Sequence, residues 1–155
     1  MTVVVSDASP VINLASIDRL LLLRDMFGTI LVPATVWSEV VAGEPLTRPL
    51  WIELRSPTNL LLVEALQLDV DLGEAEAIAL AKEVAADLVL IDEKKGRAVA
   101  KRLGLRYLGL LGVLVEAKQR GLIDALKPIL DLLIQKAGFR VSQTLYGQVL
   151  ASVGE

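Results

Sequence analysis

The 155-residue chain contains neither cysteine nor histidine. Without cysteine it can form no disulfide, zinc–thiolate site or thiol nucleophile, and without histidine it lacks the usual general base and the usual nitrogen ligand for metals. Any catalytic chemistry therefore depends on carboxylates. Because hard oxygen ligands suit Mg²⁺ or Mn²⁺ far better than copper or zinc, a bound metal is expected to be one of the first two.

Aromatic residues and long apolar runs are also scarce. Aromatic residues make up 4% of a chain that is 54% hydrophobic, so the expected core consists of Leu, Val, Ile and Ala. The longest apolar stretch, Leu108 to Val115, is far short of the roughly 20 residues that span a bilayer, and the N-terminus lacks the pattern of a signal peptide. We therefore expect a soluble, cytoplasmic protein. The net charge of −3 does not indicate nucleic-acid binding by the molecule as a whole.

Short β-branched runs alternate with helical patterns along the chain, which predicts an α/β fold. The length favours a single domain over residues 1–155, burying roughly 70% of the surface of the unfolded chain. The region from Gly43 to Pro57 is interpreted as a loop. The expected strands lie near Val3 to Ser6, Ile30 to Val32, Leu88 to Ile91 and, more weakly, Arg106 to Leu108.

Several helix boundaries have a local signal. Ser9 followed by Pro10 is typical of an N-cap with proline in the first helical position, so a helix is expected directly after Asp7. Ser142 is expected to cap a last helix that runs to about Ala151. Glycines are expected to end three further helices, at Gly104, Gly121 and Gly138.

Two of the expected strands end in an aspartate. Asp7 follows the first strand and Asp92 follows the third. Taken singly, each could be a turn residue, or an acid favoured by the positive end of a helix. Buried parallel strands, however, bind ligands beyond their carboxyl ends, so two acids at the same edge indicate a cation site.

Helical periodicity selects a third acid. On a helix expected from Gly73 to Ala86, Glu74 falls within the apolar arc, whereas Glu76 lies on the opposite side with Glu83. An acid in the first helical turn is worth about 0.3–1 kcal/mol through the helix dipole alone. The dipole does not explain why Glu74 faces inward, so we expect it to join the site.

Glu39 and Glu93 allow two interpretations each. Glu39 borders the apolar face of a helix that Pro33 opens, where it is either a site residue or a solvated glutamate at the rim. Glu93 either joins the site or pairs with Arg97 four residues on. Carboxylates that converge repel one another strongly unless protons or cations compensate them. A divalent ion meets that need and can lower the pKa of a water that attacks a phosphodiester.

A basic segment follows the acids at residues 92 and 93. Lys94, Arg97 and Lys101 fall on one helical face, which is either an ordinary solvated surface or a track for a phosphate backbone.

The order of these segments resembles a known family. The segments are Val4-Val5-Ser6-Asp7-Ala8-Ser9-Pro10, Pro33-x-x-Val36-x-x-Glu39-Val40, Leu72-Gly73-Glu74 through Ala81, and Leu90-Ile91-Asp92-Glu93 through Ala100. With Leu111 to Leu114 and Gly138 to Ser142, they are similar to a PIN domain, most closely to the prokaryotic stand-alone group of VapC-type toxins. The resemblance covers nearly the whole chain.

The resemblance implies a three-layer α/β/α fold with a central, mainly parallel sheet of about four to five strands. It also implies an Mg²⁺- or Mn²⁺-dependent ribonuclease, with Asp7, Glu39, Glu74 and Asp92 as its acidic quartet. For such a ribonuclease we expect Glu93 to be an additional metal ligand or a neighbour, and Ser9 to orient a metal ligand without binding the ion itself. We also expect Lys94, Arg97 and Lys101 to contact RNA. Family members often form homodimers, and the toxins are inhibited by a small antitoxin. Many members have aspartate where this chain has Glu74.

Other functions remain to be separated from this one. A PIN-like fold without catalysis would serve as a binding or dimerisation module. A haloacid-dehalogenase-like phosphatase is disfavoured because Ser9 stands where its second aspartate is expected. A receiver domain would have a lysine after a late strand, where this chain has Arg106 to Gly109. The chain also lacks a GxxxxGK phosphate loop.

Overall fold

The computed structural model describes residues 2–155, so Met1 lies outside the described part. Within that part the strands are β1 (Val4–Ser6), β2 (Ile30–Val32), β3 (Ile52–Leu54), β4 (Leu88–Leu90) and β5 (Tyr107–Leu108). The helices are α1 (Ala8–Ser16), α2 (Leu21–Phe27), α3 (Ala34–Gly43), α4 (Leu60–Leu66), α5 (Leu72–Glu83), α6 (Lys94–Arg102), α7 (Leu110–Gln119), α8 (Lys127–Lys136) and α9 (Gln143–Ser152).

The five strands form one sheet in the order β3-β2-β1-β4-β5, and every neighbouring pair is parallel. From β1 the chain moves outward in one direction through β2 and β3, and in the other through β4 and β5. The order therefore reverses between β1 and β4, where open parallel sheets form a ligand-binding crevice. Asp7 and Asp92 come just after these two strands, and the Asp7 N–H donates to the Leu90 carbonyl at 2.9 Å.

Alternate residues of the central strands point to opposite faces of the sheet, and each face has its own core. Val4 and Leu90 pack with residues of α1, α2, α3, α7, α8 and α9. Val5 and Val89 pack with residues of α4, α5 and α6. The result is the expected three-layer α/β/α fold with a parallel sheet.

The interpretation of Gly43 to Pro57 as a loop is wrong in part, because this region contains β3. Ile52 is fully buried in β3, whereas Glu53 and Leu54 are exposed. The strand lies at the edge of the sheet with one buried side chain, so it lacks the apolar run that identified the central strands. The four expected strands are all present, with bounds that differ by at most one residue.

Ser9 is not the N-cap of α1. The helix begins directly after Asp7, as expected, but Asp7 itself occupies the cap position, and its side chain makes no capping hydrogen bond. Pro10 is the third helical residue. Proline is tolerated there because the first four N–H groups of a helix have no partner within the helix.

The expected cap at Ser142 and the three expected glycine stops are confirmed. The Ser142 hydroxyl accepts a hydrogen bond from the Leu145 N–H at 3.1 Å at the start of α9. Gly104, Gly121 and Gly138 follow α6, α7 and α8 with φ angles of +77°, +73° and +68°. This left-handed conformation is the one for which glycine is favoured after a helix.

Helix α5 is shorter than expected and ends at Glu83 instead of Ala86. Ala85 has a φ of +50°, and the Ala86 N–H donates to the Ala81 carbonyl at 2.8 Å. This closes the helix as glycine usually does, but with alanine at the left-handed position. Ala85 is consequently exposed and does not belong to the apolar arc. None of the helices in residues 2–155 has the length and apolar character needed to cross a bilayer.

Candidate active site

Asp7 is buried at the carboxyl end of β1, with 5% of its surface exposed. Burial raises the pKa of this carboxyl to about 7, although a hydrogen bond from the Ala8 N–H opposes the rise. The negative charges of Asp71, Glu39 and Asp92 contribute to the same rise. Asp7 therefore faces several acidic side chains from other elements.

Glu74 lies in the first turn of α5 and is 7% exposed. The prediction that its side chain is buried is therefore confirmed. Burial raises the pKa of Glu74 to about 8, and the charge of Asp71, a hydrogen bond with Asp71 and the charges of Asp7 and Glu93 act in the same direction. The Oε2 atom of Glu74 is buried without a hydrogen-bond partner. Such an oxygen is costly unless a proton or a cation compensates it.

Asp92 is held at the carboxyl end of the sheet by a backbone group of α7. Its Oδ1 accepts a hydrogen bond from the Leu110 N–H at 2.7 Å, whereas its Oδ2 is buried and has no partner. Burial raises the pKa of Asp92, the Leu110 N–H and Arg97 oppose this rise, and Glu93 supports it. One oxygen of Asp92 is thus fixed and the other is left available.

Glu39 reaches the site from α3 and remains an exposed residue. Partial burial raises the pKa of its carboxyl, and the charges of Asp71 and Glu76 raise it further. A Cβ atom added to Gly73 would collide with Oε1 of Glu39. The Glu39 carboxylate therefore rests directly on the backbone at the start of α5.

Two other acids of the site also lie against glycines. A Cβ atom at Gly96 would stand 2.7 Å from Oε2 of Glu74, and one at Gly109 would stand 2.9 Å from Oδ1 of Asp92. Both distances are shorter than carbon–oxygen contacts allow without movement. The absence of side chains at Gly96 and Gly109 is therefore a condition for the positions of these carboxylates.

Sequence reasoning missed Asp71 and wrongly placed Glu76 on the polar side of α5 with Glu83. Asp71 caps α5, with its Oδ1 accepting a hydrogen bond from the Glu74 N–H at 2.8 Å, and its charge acts on Asp7, Glu39 and Glu74. The available signal was the capping pattern in which an acid precedes a glutamate by three residues. Glu76 is half-buried, its Oε2 has no partner, and it raises the pKa of Glu39.

The three basic residues proposed for α6 differ in exposure. Lys94 and Lys101 are exposed, whereas Arg97 is half-buried and close enough to Asp92 to lower its pKa. The side chain of Glu93 makes no ion pair with Arg97 among residues 2–155. It lines instead a cavity of about 280 Å³ together with Asp71, Glu74 and Lys95. Ser9 is half-buried in α1, two residues after Asp7.

The acidic site has the donors of a divalent-ion site but not its finished geometry. Across the described residues, no group of three or more acidic side chains is arranged to hold a metal ion as it stands. The donor chemistry nevertheless fits a hard cation, because the donors are carboxylates and both Glu74 and Asp92 present a buried oxygen without a partner. Burial and mutual repulsion raise the pKa values of Asp7 and Glu74 towards neutral pH, so a proton is the alternative to a cation for balancing these charges.

Comparison with known proteins agrees with this geometry. Residues 3–155 match a family model described as the PIN domain, and a comparison with curated proteins finds no significant match. PIN domains are generally nucleases that act on nucleic acid and use divalent metal ions. Since the match covers nearly the whole chain and the parallel sheet places acids at its switch point, this chain belongs to the PIN-domain family.

Proposed function

We propose that this protein is an Mg²⁺- or Mn²⁺-dependent endoribonuclease, formed by one domain over residues 1–155. In this proposal it is a cytoplasmic, VapC-like toxin that forms a homodimer and is inhibited by a small antitoxin. The observation that carries the nuclease proposal is the pair of buried, unpartnered oxygens, Oε2 of Glu74 and Oδ2 of Asp92, beside the buried Asp7 at the switch point of the sheet.

The proposed roles follow from position and burial. Asp7, Glu74 and Asp92 bind the ion, and the Leu110 N–H keeps Oδ1 of Asp92 turned away so that Oδ2 is available. Glu39 is the most exposed member of the quartet and orients a water molecule beside the ion. Glu93 contributes an additional ligand from the neighbouring cavity. When bound, the ion activates water and stabilises the charge that develops on the phosphodiester.

The remaining proposed residues act on RNA or on the ligand set. Lys94 and Lys101 are exposed on α6 and contact the phosphate backbone, while Arg97 contacts it close to Asp92. Ser9 orients a ligand from the first helix. Because the net charge is −3, these local cations have to overcome general repulsion of RNA.

The decisive test is replacement of Asp7 by asparagine. We expect Asp7→Asn to reduce Mn²⁺-dependent cleavage of single-stranded RNA by about a hundredfold or more, because a ligand and its charge are lost while the volume is kept. Asp124→Asn is the matched control, because Asp124 is an exposed acid that is not one of the proposed site residues. Equal cleavage by both variants, with circular dichroism confirming the fold, would disprove the proposed site.

A second candidate is a PIN-like binding or dimerisation module without catalysis. It is favoured by one observation, namely that no cluster of three or more acidic side chains in residues 2–155 already has the geometry of a metal site. Calorimetric titration with Mn²⁺ separates the two functions. Saturable binding that Asp7→Asn weakens supports the nuclease, whereas heat signals no larger than those of dilution support the module.

The toxin assignment needs a cellular test. Expression of the chain should halt growth, Asp7→Asn should not, and co-expression of a small protein from the adjacent reading frame should restore growth. Light scattering coupled to size-exclusion chromatography then decides whether the chain alone is a dimer. Unimpaired growth at an expression level that permits purification would reject the toxin role and leave the nuclease proposal standing.

A further inference from the structure

Two separate cavities flank the start of α6. The first is the 280 Å³ cavity that contains Glu93 and Lys95. The second has a volume of about 260 Å³ and lies where β5 passes into α7, with Asp92, Arg97 and Tyr107 in its wall. Successive side chains of extended backbone point in opposite directions, which explains why Asp92 and Glu93 face different cavities. The second cavity, here called the Arg97–Tyr107 cavity, thus adjoins the acidic centre.

Arg97 places a guanidinium group in the wall of this cavity. It is half-buried, and within residues 2–155 its side chain has neither a hydrogen-bond partner nor an ion pair. A Cβ atom at Gly109 would stand 3.4 Å from Nη1 of Arg97 and 2.9 Å from Oδ1 of Asp92, so the guanidinium lies close to the carboxylate. The planar guanidinium keeps donors that can bind a phosphate in a bidentate way.

Tyr107 supplies an aromatic surface to the same cavity. The chain has only two tyrosines, and Tyr107 is 38% exposed on the edge strand β5. The rest of the wall consists of Leu108, Leu111, Gly109 and Gly112, so Tyr107 is the aromatic residue and Arg97 the cation of this cavity. A ring exposed beside a cation suits an unpaired nucleobase, since every base has a face that stacks.

We propose that the Arg97–Tyr107 cavity binds one nucleotide of single-stranded RNA, adjacent to the phosphodiester that is cut. Arg97 holds its phosphate and Tyr107 stacks on its base. This inference rests on the proposed nuclease function, and it assigns the direction in which the RNA leaves the acidic centre. Phosphate would otherwise be repelled there, because Asp92 is negative and the chain carries a net charge of −3.

The test measures binding of a fluorescein-labelled, mixed-sequence single-stranded oligoribonucleotide by anisotropy, with Mn²⁺ present and Asp7→Asn as the background. Tyr107→Leu keeps the apolar volume and should raise Kd about tenfold, while Tyr107→Phe should retain the affinity of the parent. Arg97→Met should raise Kd about tenfold and lower the salt slope of binding by about 0.7, with Arg97→Lys intermediate. The same oligonucleotide paired as a duplex should lose the Tyr107 effect.

Arg140→Met, at an exposed arginine outside both cavities, is the control and should bind RNA like the parent. The proposal is overturned if Tyr107→Leu and Arg97→Met both keep the parent's Kd. It is also overturned if Arg97→Met changes only Mn²⁺ affinity, since Arg97 would then merely balance the charge of Asp92. Cleavage by the protein with native Asp7 is assayed in parallel. If RNA binding depends on both side chains but the protein does not cleave RNA, the nuclease function would be refuted while nucleotide binding in the Arg97–Tyr107 cavity would be supported.

Discussion

At the scale of single residues, the site depends on glycines that leave space for the carboxylates as much as on the carboxylates themselves. Glu74 can bury its Oε2 only because Gly96 presents no side chain, and Asp92 has the same relation to Gly109. A buried carboxylate oxygen without a partner is unfavourable for folding. Its retention beside two further acids is expected where function, and not stability, has determined the residue.

The contact between Gly96 and Glu74 gives the first prediction. Gly96→Ala places a methyl group 2.7 Å from Oε2 of Glu74 and still closer to Ile91. We expect the variant to lose about 1–3 kcal/mol of unfolding free energy in urea, despite the better helix propensity of alanine, and to bind Mn²⁺ more weakly. Gly147→Ala is the control, because its Cβ meets open space in α9 and should gain up to about 1 kcal/mol. If both variants changed the unfolding free energy in the same direction and by a similar amount, the close contact between Gly96 and Glu74 would be contradicted.

The two roles of Asp71 can be separated by a second pair of variants. Asp71→Ala removes both the cap of α5 and the charge, whereas Asp71→Asn removes the charge and keeps an oxygen for the Glu74 N–H. Asp71→Ala should therefore be less stable than Asp71→Asn by about 1 kcal/mol in urea unfolding. In both variants the pKa of Glu74 should fall, because the charge and the hydrogen bond of Asp71 both raise it. Carboxyl chemical shifts followed by NMR titration measure that pKa, and an unchanged value would refute the coupling.

At the scale of helices and strands, the conformation of Ala85 leads to a third prediction. Its φ of +50° is unfavourable for an L-residue, while glycine adopts this conformation freely. Ala85→Gly should consequently stabilise the protein by about 0.5–1 kcal/mol, measured by chemical denaturation. Ala98→Gly, at an exposed position within α6, should instead cost about 1 kcal/mol. Equal destabilisation by both substitutions would show that α5 does not end as described.

Elements were predictable from sequence where burial is simple. β1, β2 and β4 are buried on both faces, so each appears in the sequence as a short apolar run. The ends of β1 and β4 could therefore be located, and with them the positions of Asp7 and Asp92 just beyond the sheet. β3 was missed because its region, rich in proline, was interpreted as a loop and Ile52 is its only buried residue; β5, the other edge strand, has no buried residue and was expected only weakly. For edge strands, pairing with a neighbour contributes more than any local pattern does.

The acidic site was predictable only in part for a related reason. Periodicity correctly indicated that Glu74 is buried, but it could not show that Glu76 is also half-buried, because α5 packs against the sheet and against α3, α4 and α6. A helix covered on several sides has no single polar face to read. The contacts of Glu39 with Gly73 and of Arg97 near Asp92 depend on how long side chains cross between elements, which spacing along the chain does not determine.

At the scale of the whole molecule, the acidic site should oppose folding when no divalent ion is present. The pKa values of Asp7 and Glu74 are raised from 3.8 and 4.5 to about 7 and about 8 in the folded state. Between about pH 5 and pH 8 the folded protein therefore binds more protons than the unfolded chain, and its stability falls as the pH rises. Below the unfolded pKa values the two carboxyls are protonated in both states and the penalty disappears.

The fourth prediction is that the melting temperature in EDTA decreases from pH 5 to pH 8, and that Mn²⁺ reverses the decrease. Because protons compete with the ion for the same oxygens, the rise in melting temperature on adding Mn²⁺ should be larger at pH 8 than at pH 6. At a free concentration of about 100 times Kd the ion should add about 2.7 kcal/mol. Asp7→Asn should show a shallower pH dependence in EDTA and a smaller response to Mn²⁺, with Asp124→Asn unchanged. A melting temperature that is independent of pH in EDTA would mean that the carboxylates do not repel one another in the folded protein and need no cation between them.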